Sequence, residues 1–348
     1  MTSRSQVNKA GETLRSYPET SNKYKAALAL AEEWRKAHIY PLKTFKSNLD
    51  KRLTKYPKAI SAQRLKRMPT ILDKLKTRET SMRLSAMQDI GGIRAVVQIV
   101  SQAEKLAKEY RESERFTHLL KEAQCRNYIE SPKDDGYRGI HLVYEYNNTL
   151  ARTREAKESK GIFIEVQIRS ELQHTWATAV ETVSLMTGES IKAHRGNDNW
   201  LEFFRYVSSA FAIIENRNVL QAHEGKEQRE IYEEIIKIMD SMKVFDKLRG
   251  YSTGLRVIDR IRKDHYYHLL ILDIEKKRVR IRGFAEAEYK RAVAEYEKIE
   301  SKHLINTDAV LVSAGQRQEL KKAYPNYYLD LRRFTELLEA VTIEYKAK

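Results

Sequence analysis

The sequence predicts a helix-flanked sheet domain, α/β or α+β in class, joined to a smaller α+β module. Two observations carry this. Between residues 40 and 190, apolar β-branched runs alternate with helical stretches. Beyond Gly250 a hairpin pattern, a helix and a further strand follow within about 100 residues.

The first quarter reads as helix. Residues 23–37 (KYKAALALAEEWRKA) set Tyr24, Leu28, Ala31 and Trp34 on one apolar stripe. Pro41 opens a second helical stretch that ends before Pro57, and Pro69 is placed to open a third, PTILDKLKT. The period then changes. Residues 93–100 (IRAVVQIV), after Gly91 and Gly92, predict a buried strand, followed by a polar helix over 101–114. Residues 140–147 and 162–169 predict two further strands, separated by a charged loop. The turn-rich SPKDDGYRG precedes the first of them. Helices follow from Ser170, over 199–214 and over 227–242. HYYHLLILDI, an EKK turn and RVRIRGF then predict a hairpin. A helix over 285–299, a strand over 308–314 and helical segments complete the chain.

Composition excludes several classes. One cysteine in 348 residues, Cys125, rules out an internal disulfide framework and a cysteine zinc cluster. No apolar run approaches a membrane span, and the first twenty residues lack the apolar stretch of a secretory signal. A soluble, cytoplasmic protein is expected. The net charge of +16 is uneven: residues 43–83 hold thirteen Lys/Arg against Asp50, Asp73 and Glu79. Such concentration suggests a phosphate-rich partner, although a solvated helical face has the same pattern.

The sequence contains no P-loop, no G-x-G-x-x-G after a strand, no kinase signature and no H-E-x-x-H. Acidic and basic residues at strand ends remain. Asp89 immediately precedes the first strand, and Glu165 lies inside another, sharing a face with Gln167 and Arg169. Polar groups on an apolar strand are costly unless paired or functional. Two carboxylates on neighbouring strands suit Mg²⁺ when phosphates complete its shell, and one can serve as a general base; a wet strand end would also hold them. Arg64, Lys66 and Lys74 surround a proline-started helix, which suits polyphosphate or an ordinary exposed helix. Tyr137 and His141 bracket a strand start between Gly136 and Gly139. The tyrosine is available to stack on a base, or is packed against the sheet edge.

Four segments occur in a specific order: RLKRMPTILDKL, DIGGIRAVV, KDDGYRGIHLVYEY and IEVQIRSELQHTWA. In that order and spacing, over about residues 40–190, they resemble the RelA/SpoT-type pyrophosphokinase domain. The resemblance implies an α+β, nucleotidyltransferase-like mixed sheet flanked by helices. It also implies transfer of the β,γ-pyrophosphate of ATP to a ribose 3′-hydroxyl. By position, Arg64 and Arg94 would sandwich adenine, Lys66 and Lys74 would hold phosphates, and Asp89 and Glu165 would bind Mg²⁺. Glu165 would also activate the acceptor hydroxyl. Tyr137 would stack on the acceptor base, with Lys133, His141 and Gln167 beside it.

The resemblance extends to domain organisation. An N-terminal helical segment is expected over 1–40, the pyrophosphokinase over 41–216, a helical linker over 217–250 and a regulatory α+β module over 251–348. No adjacent His-Asp pair of a hydrolase occurs, so the chain should synthesise and not degrade. Gly139 stands where Ser is common, and QHTWATAVE differs from the acidic, aromatic helix of many small alarmone synthetases. These features are most similar to the fused toxin–antitoxin group called CapRel. They imply the terminal adenosine of tRNA as acceptor and a phage protein as activator through the C-terminal module. The alternatives are GDP or GTP as acceptor, giving guanosine tetraphosphate metabolism, and an inactive RNA-binding protein of the same fold. Oligomeric state is left open. Removing Asp89 is expected to abolish transfer and leave stability unchanged or raised, through relief of carboxylate repulsion.

Overall fold

The computed structural model describes residues 3–66, 68–147, 153–187, 198–260, 265–273, 276, 278–300, 307–313 and 327–347. The chain forms two compact units, Met1–Ser131 with Gly139–Glu171, and Pro132–Arg138 with Leu172–Lys348.

The first unit begins with α1 (Arg4–Ser16), α2 (Asn22–Ala37) and α3 (Ile39–Leu53). A capping box starts α1: the Ser3 hydroxyl accepts from the Gln6 amide, and Gln6 Oε1 accepts from the Ser3 amide at 2.9 Å. Next come β1 (Ile60–Leu65), α4 (Met68–Asp73) and a single π-turn (Lys74–Arg78). Then follow β2 (Gly91–Val97), α5 (Val100–Arg111), β3 (Leu119–Leu120), β4 (Arg126–Asn127), β5 (Ile140–Glu145), α6 (Arg154–Glu158) and β6 (Phe163–Ser170).

The sheet has the order β1-β2-β6-β5-β3, with β4 also on β5. Only β2 and β6 run parallel, so the sheet is mixed, as the family resemblance implied. Side-chain alternation explains its two faces. Ile93, Ala95, Ile164, Val166, Ile168, Leu142 and Tyr144 join one core with Leu14, Trp34, Phe45, Leu49 and Leu106. The other face carries Arg94, Glu165, Gln167 and Arg169, all buried.

Strand β1 differs from the sequence reading, which passed over it as a connection ahead of Pro69. ISAQRL has no alternating apolar signal, and its residues are half-buried or exposed. It is a strand because β2 supplies an antiparallel partner, with Arg64 opposite Gly92. The third helical stretch forms without a break over residues 68–78, and its second half, from Lys74, is wound as a π-turn that widens the chain.

The second unit contains α7 (Glu171–Thr187), α8 (Asp198–Ile214), α9 (Gln228–Met242) and α10 (Val244–Arg260). A three-stranded antiparallel sheet follows, β7 (Tyr267–Asp273), β8 (Arg278–Phe284) and β9 (Thr307–Ser313) in the order β8-β7-β9. Two more helices are α11 (Tyr289–Glu300) and α12 (Tyr327–Ala347). Phe334 of α12 packs on Phe204 and Phe211 of α8 with centroids 5.9 and 6.0 Å apart. Helix α10 runs through Gly250, where the sequence suggested a change of order. Its Gly254 makes room for β7, since a Cβ there would collide with Leu270 Cδ2. In the hairpin, the Tyr266 and Tyr267 rings meet at 4.9 Å. The Tyr327 and Tyr328 side chains, residues 148–152 of the charged loop, most of the EKK turn and Ala314 lie outside the described residues. Among the described residues no helix is long and apolar enough to cross a membrane.

Candidate active site

Strand register assembles the polar face. Arg64 stands opposite Gly92, Gly92 opposite Glu165, and Glu165 opposite Val143. One step along the same face, Arg94 stands opposite Gln167, and Gln167 opposite His141. Five of the ten sequence-predicted residues, Arg64, Glu165, Arg94, Gln167 and His141, therefore lie on two adjacent rows. A Cβ at Gly92 would make only ordinary contacts, 3.5 Å from the Glu165 carbonyl oxygen and 3.8 Å from Oε2.

Glu165 is held at both oxygens. His141 Nδ1 lies 2.7 Å from Oε1, and Gln167 Nε2 donates to Oε2 at 2.7 Å. Gln167 in turn accepts from Arg94 Nε at 3.4 Å. Burial pushes the Glu165 carboxyl up, but His141, Arg64 and Gln167 outweigh it and hold it well below the usual carboxylate range. The carboxylate is ionised at neutral pH.

Asp89 anchors a second cluster at the entrance to β2. Lys66 Nζ lies 2.6 Å from its Oδ2, and Lys74 Nζ 3.4 Å from its Oδ1. Lys74 also reaches Glu79 Oε1 at 3.3 Å. Burial again pushes Asp89 up; Lys66 and Lys74 reverse this against the opposing charge of Glu165, and its pKa falls below normal. Burial lowers the Lys66 pKa more than Asp89 raises it, with Arg64 and Lys74 adding to the fall. The Lys66 amide donates to the Ile90 carbonyl at 2.7 Å, which ties the lysine's backbone beside Asp89.

The donor chemistry fits a hard divalent cation. Asp89 and Glu165 are ionised oxygen donors that act on each other electrostatically, and they neighbour lysines suited to phosphate oxygens. Among the described residues no group of three or more His, Cys, Asp or Glu forms a complete metal cage. Two protein oxygens are the number expected when substrate phosphates supply the rest.

Lys133 and Tyr137 belong to the second unit. There the KDDGYR turn places Lys133 Nζ over the Tyr137 ring at 5.3 Å, and the ring is buried, 6% exposed. Gly136 has φ +94°, and a Cβ would meet Trp176 Cζ2 at 2.9 Å. Arg138, next in the turn, donates to Ser208 Oγ at 3.1 Å and to the Asn218 carbonyl at 2.8 Å. The sequence reading overlooked Glu79, which carries no periodic signal and meets Lys74 only in the folded chain.

Residues 63–184 match a family model described as "Region found in RelA / SpoT proteins", so this segment carries the RelA/SpoT region that the four motifs resembled. The chain is similar to the GTP pyrophosphokinase YjbM of Bacillus subtilis, 29% identical over 116 residues, covering 33% of this chain and 51% of that protein. It is also similar to the GTP pyrophosphokinase YwaC of the same organism, 26% identical over 119 residues, with coverages of 33% and 52%. The chain spans about half the length of the curated relatives it matches. Among solved structures, small alarmone synthetase 1 from Bacillus subtilis aligns with TM-score 0.42 and 21% identity, over 53% of this chain and 92% of that one. A GTP pyrophosphokinase family protein from Streptococcus pneumoniae aligns with TM-score 0.43 and 22% identity, over 57% and 95%.

Proposed function

We propose that the chain is a pyrophosphokinase that transfers the β,γ-pyrophosphate of ATP to the ribose 3′-hydroxyl of GDP or GTP. The observation that carries this reading is the pairing of Asp89 with Lys66 and Lys74 at the entrance to β2, beside a buried Glu165 held by His141 and Gln167. Lys66 and Lys74 are placed to exchange Asp89 oxygens for phosphate oxygens, a swap of like partners. Arg64, exposed on the edge strand, and Arg94, buried beside Gln167, would contribute the guanidinium planes for an adenine ring. Glu165, oriented by His141 and Gln167, would accept the 3′-hydroxyl proton. The 3′-oxygen then bonds to the β-phosphorus, the bond from that phosphorus to the α,β-bridging oxygen breaks, and AMP leaves. Mg²⁺ held by Asp89 and Glu165 would offset phosphate charge and stabilise charge developing in transfer.

The guanosine acceptor is supported by the names of the relatives and by where the basic residues go. Of the thirteen cations in residues 43–83, Lys46, Lys55, Lys66, Lys74 and Lys76 are in ion pairs within the chain. Arg52 binds Asn48, Ser113 and the Glu109 carbonyl and stacks 4.4 Å over Tyr110. A small acceptor needs few of the remainder. A second reading retains tRNA as acceptor, within a fused toxin–antitoxin protein of anti-phage defence. It is favoured by Lys43, Lys51, Lys58 and Arg83, which are exposed and in no ion pair among the described residues. It also draws on the additional β7–β9 module as a regulatory, partner-sensing element.

The test is transfer from γ-labelled ATP with Mg²⁺ to GDP, GTP or deacylated tRNA. Label on the guanosine nucleotides supports the first reading, and label on tRNA alone replaces it with the second. Transfer to neither, with or without a candidate phage activator, overturns both in favour of an inactive RNA-binding fold.

A further inference from the structure

The helical hairpin α1–α2 lies outside the segment that matches the family model, yet it touches the stretch over residues 66–85, which carries Lys66 and Lys74, at four separate points. Arg35 Nε donates to the Lys66 carbonyl at 2.7 Å, while its Nη1 is held by Glu32 at 3.0 Å. Lys76 Nζ lies 2.9 Å from Glu19 and 4.9 Å from the centre of the Tyr24 ring. Arg15 Nη1 donates to the Met82 carbonyl at 2.7 Å, and Asn8 Oδ1 accepts from the Ser85 amide at 3.1 Å. Gly11 lets α1 approach this stretch, since a Cβ there would lie 2.9 Å from Leu84 Cβ.

We propose that α1–α2 is a positioning element for the donor nucleotide, with Arg35 as the residue through which it aims Lys66. The inference rests on the reading of Lys66 and Lys74 as donor-phosphate ligands. Lys66 follows the end of an edge strand, where the chain would otherwise fray. Its amide is fixed by the Ile90 carbonyl and its own carbonyl by Arg35, so the peptides on both sides are held. The side chain between them is left with its ammonium 2.6 Å from Asp89. A charged donor on a backbone carbonyl forms one of the stronger hydrogen bonds. Arg35 touches no reacting group and acts only through Lys66. The three remaining ties hold the stretch that follows, from the π-turn carrying Lys74 to Ser85. The Lys76–Glu19 pair is the weakest of them, because Glu19 is 73% exposed.

The test compares full-length Arg35→Met, Arg35→Lys and Glu19→Gln with the unaltered chain. It measures binding of α,β-methylene-ATP with Mg²⁺, binding of GDP, melting temperature, and amide exchange over residues 66–85. Arg35→Met should weaken the ATP analogue about tenfold, equivalent to ~1.4 kcal/mol. GDP affinity should change less than about twofold, and exchange should quicken around residues 66–76. Arg35→Lys should recover part of the loss, and Glu19→Gln should change analogue affinity less than about twofold. Equal weakening of both ligands with a lowered melting temperature would make Arg35 merely structural and overturn the inference. So would faster exchange with analogue affinity unchanged, or unaltered exchange. If the unaltered chain fails to bind the analogue, the donor-site reading itself falls, independently of any result with the variants.

Discussion

Lys66 Nζ and Asp89 Oδ2 lie 2.6 Å apart, so a cation assigned to phosphate and a carboxylate assigned to metal neutralise each other in this structure. Lys74 shares the same carboxylate. On the proposed function this arrangement would couple the two ligands, because phosphate oxygens that drew the lysines away would also free Asp89 for a cation.

This pairing reverses the expectation that losing Asp89 leaves stability unchanged or raised. The repulsion from Glu165 is outweighed by Lys66 and Lys74. Asp89→Asn should abolish transfer and lower the unfolding free energy by about 1–3 kcal/mol in Mg²⁺-free buffer, as a mostly buried ammonium loses its partner. Urea denaturation checks it, and a rise in midpoint would reinstate repulsion as the larger effect.

Acid should destabilise the first unit in two stages. Burial lowers the His38 pKa from 6.5 to about 4, and its Nδ1 lies 2.9 Å from the Trp34 carbonyl. Between those values the unfolded chain takes up a proton that the native imidazole does not, so stability falls as pH drops through the window. Glu165 and Asp89, with pKa values below normal, contribute stability that is present above the ordinary carboxylate range and lost as pH falls beneath it. His38→Gln should remove its share of the first stage, about 3 kcal/mol at most. It should leave the second stage and also the share of His118, whose pKa burial likewise lowers to about 4. Urea midpoints between pH 7 and 3 measure both stages, and an unchanged slope in the variant would count against His38.

Gly136→Ala should destabilise by about 2–4 kcal/mol, through a left-handed backbone and overpacking. The new methyl would lie 2.9 Å from Trp176 Cζ2 and 3.0 Å from Ser208 Cβ. Gly225 has φ +80° but nothing within 4 Å, so Gly225→Ala should cost only the backbone strain, about 1 kcal/mol. Thermal melts of the two variants separate packing from strain.

The basic segment divides into structural and free charges. Replacing Lys43, Lys51, Lys58 and Arg83 together by Gln should leave thermal stability and ATP-analogue affinity nearly unchanged, and reduce the salt dependence of any RNA binding. Arg52→Met should instead lower stability by about 2 kcal/mol, because its guanidinium is committed to Asn48, Ser113, Glu109 and the Tyr110 ring. Filter binding at several salt concentrations, beside melting curves, distinguishes the two groups.

The sequence alone determined whatever depends on neighbours in the chain. Alternation along IFIEVQIR set Glu165 and Gln167 on one face, and the β-branched run after Gly91-Gly92 marked the strand that pairs beside it. The order of four short motifs indicated the RelA/SpoT region and a mixed sheet. Tertiary structure decided what depends on partners distant in the chain. ISAQRL became a strand only because β2 stood ready to pair with it. His141 met Glu165, Lys66 met Asp89 and Arg35 met the Lys66 carbonyl through contacts spanning 24, 23 and 31 residues. Periodicity records which way a side chain points from its own strand or helix; which charge it meets there is set by register and packing between segments.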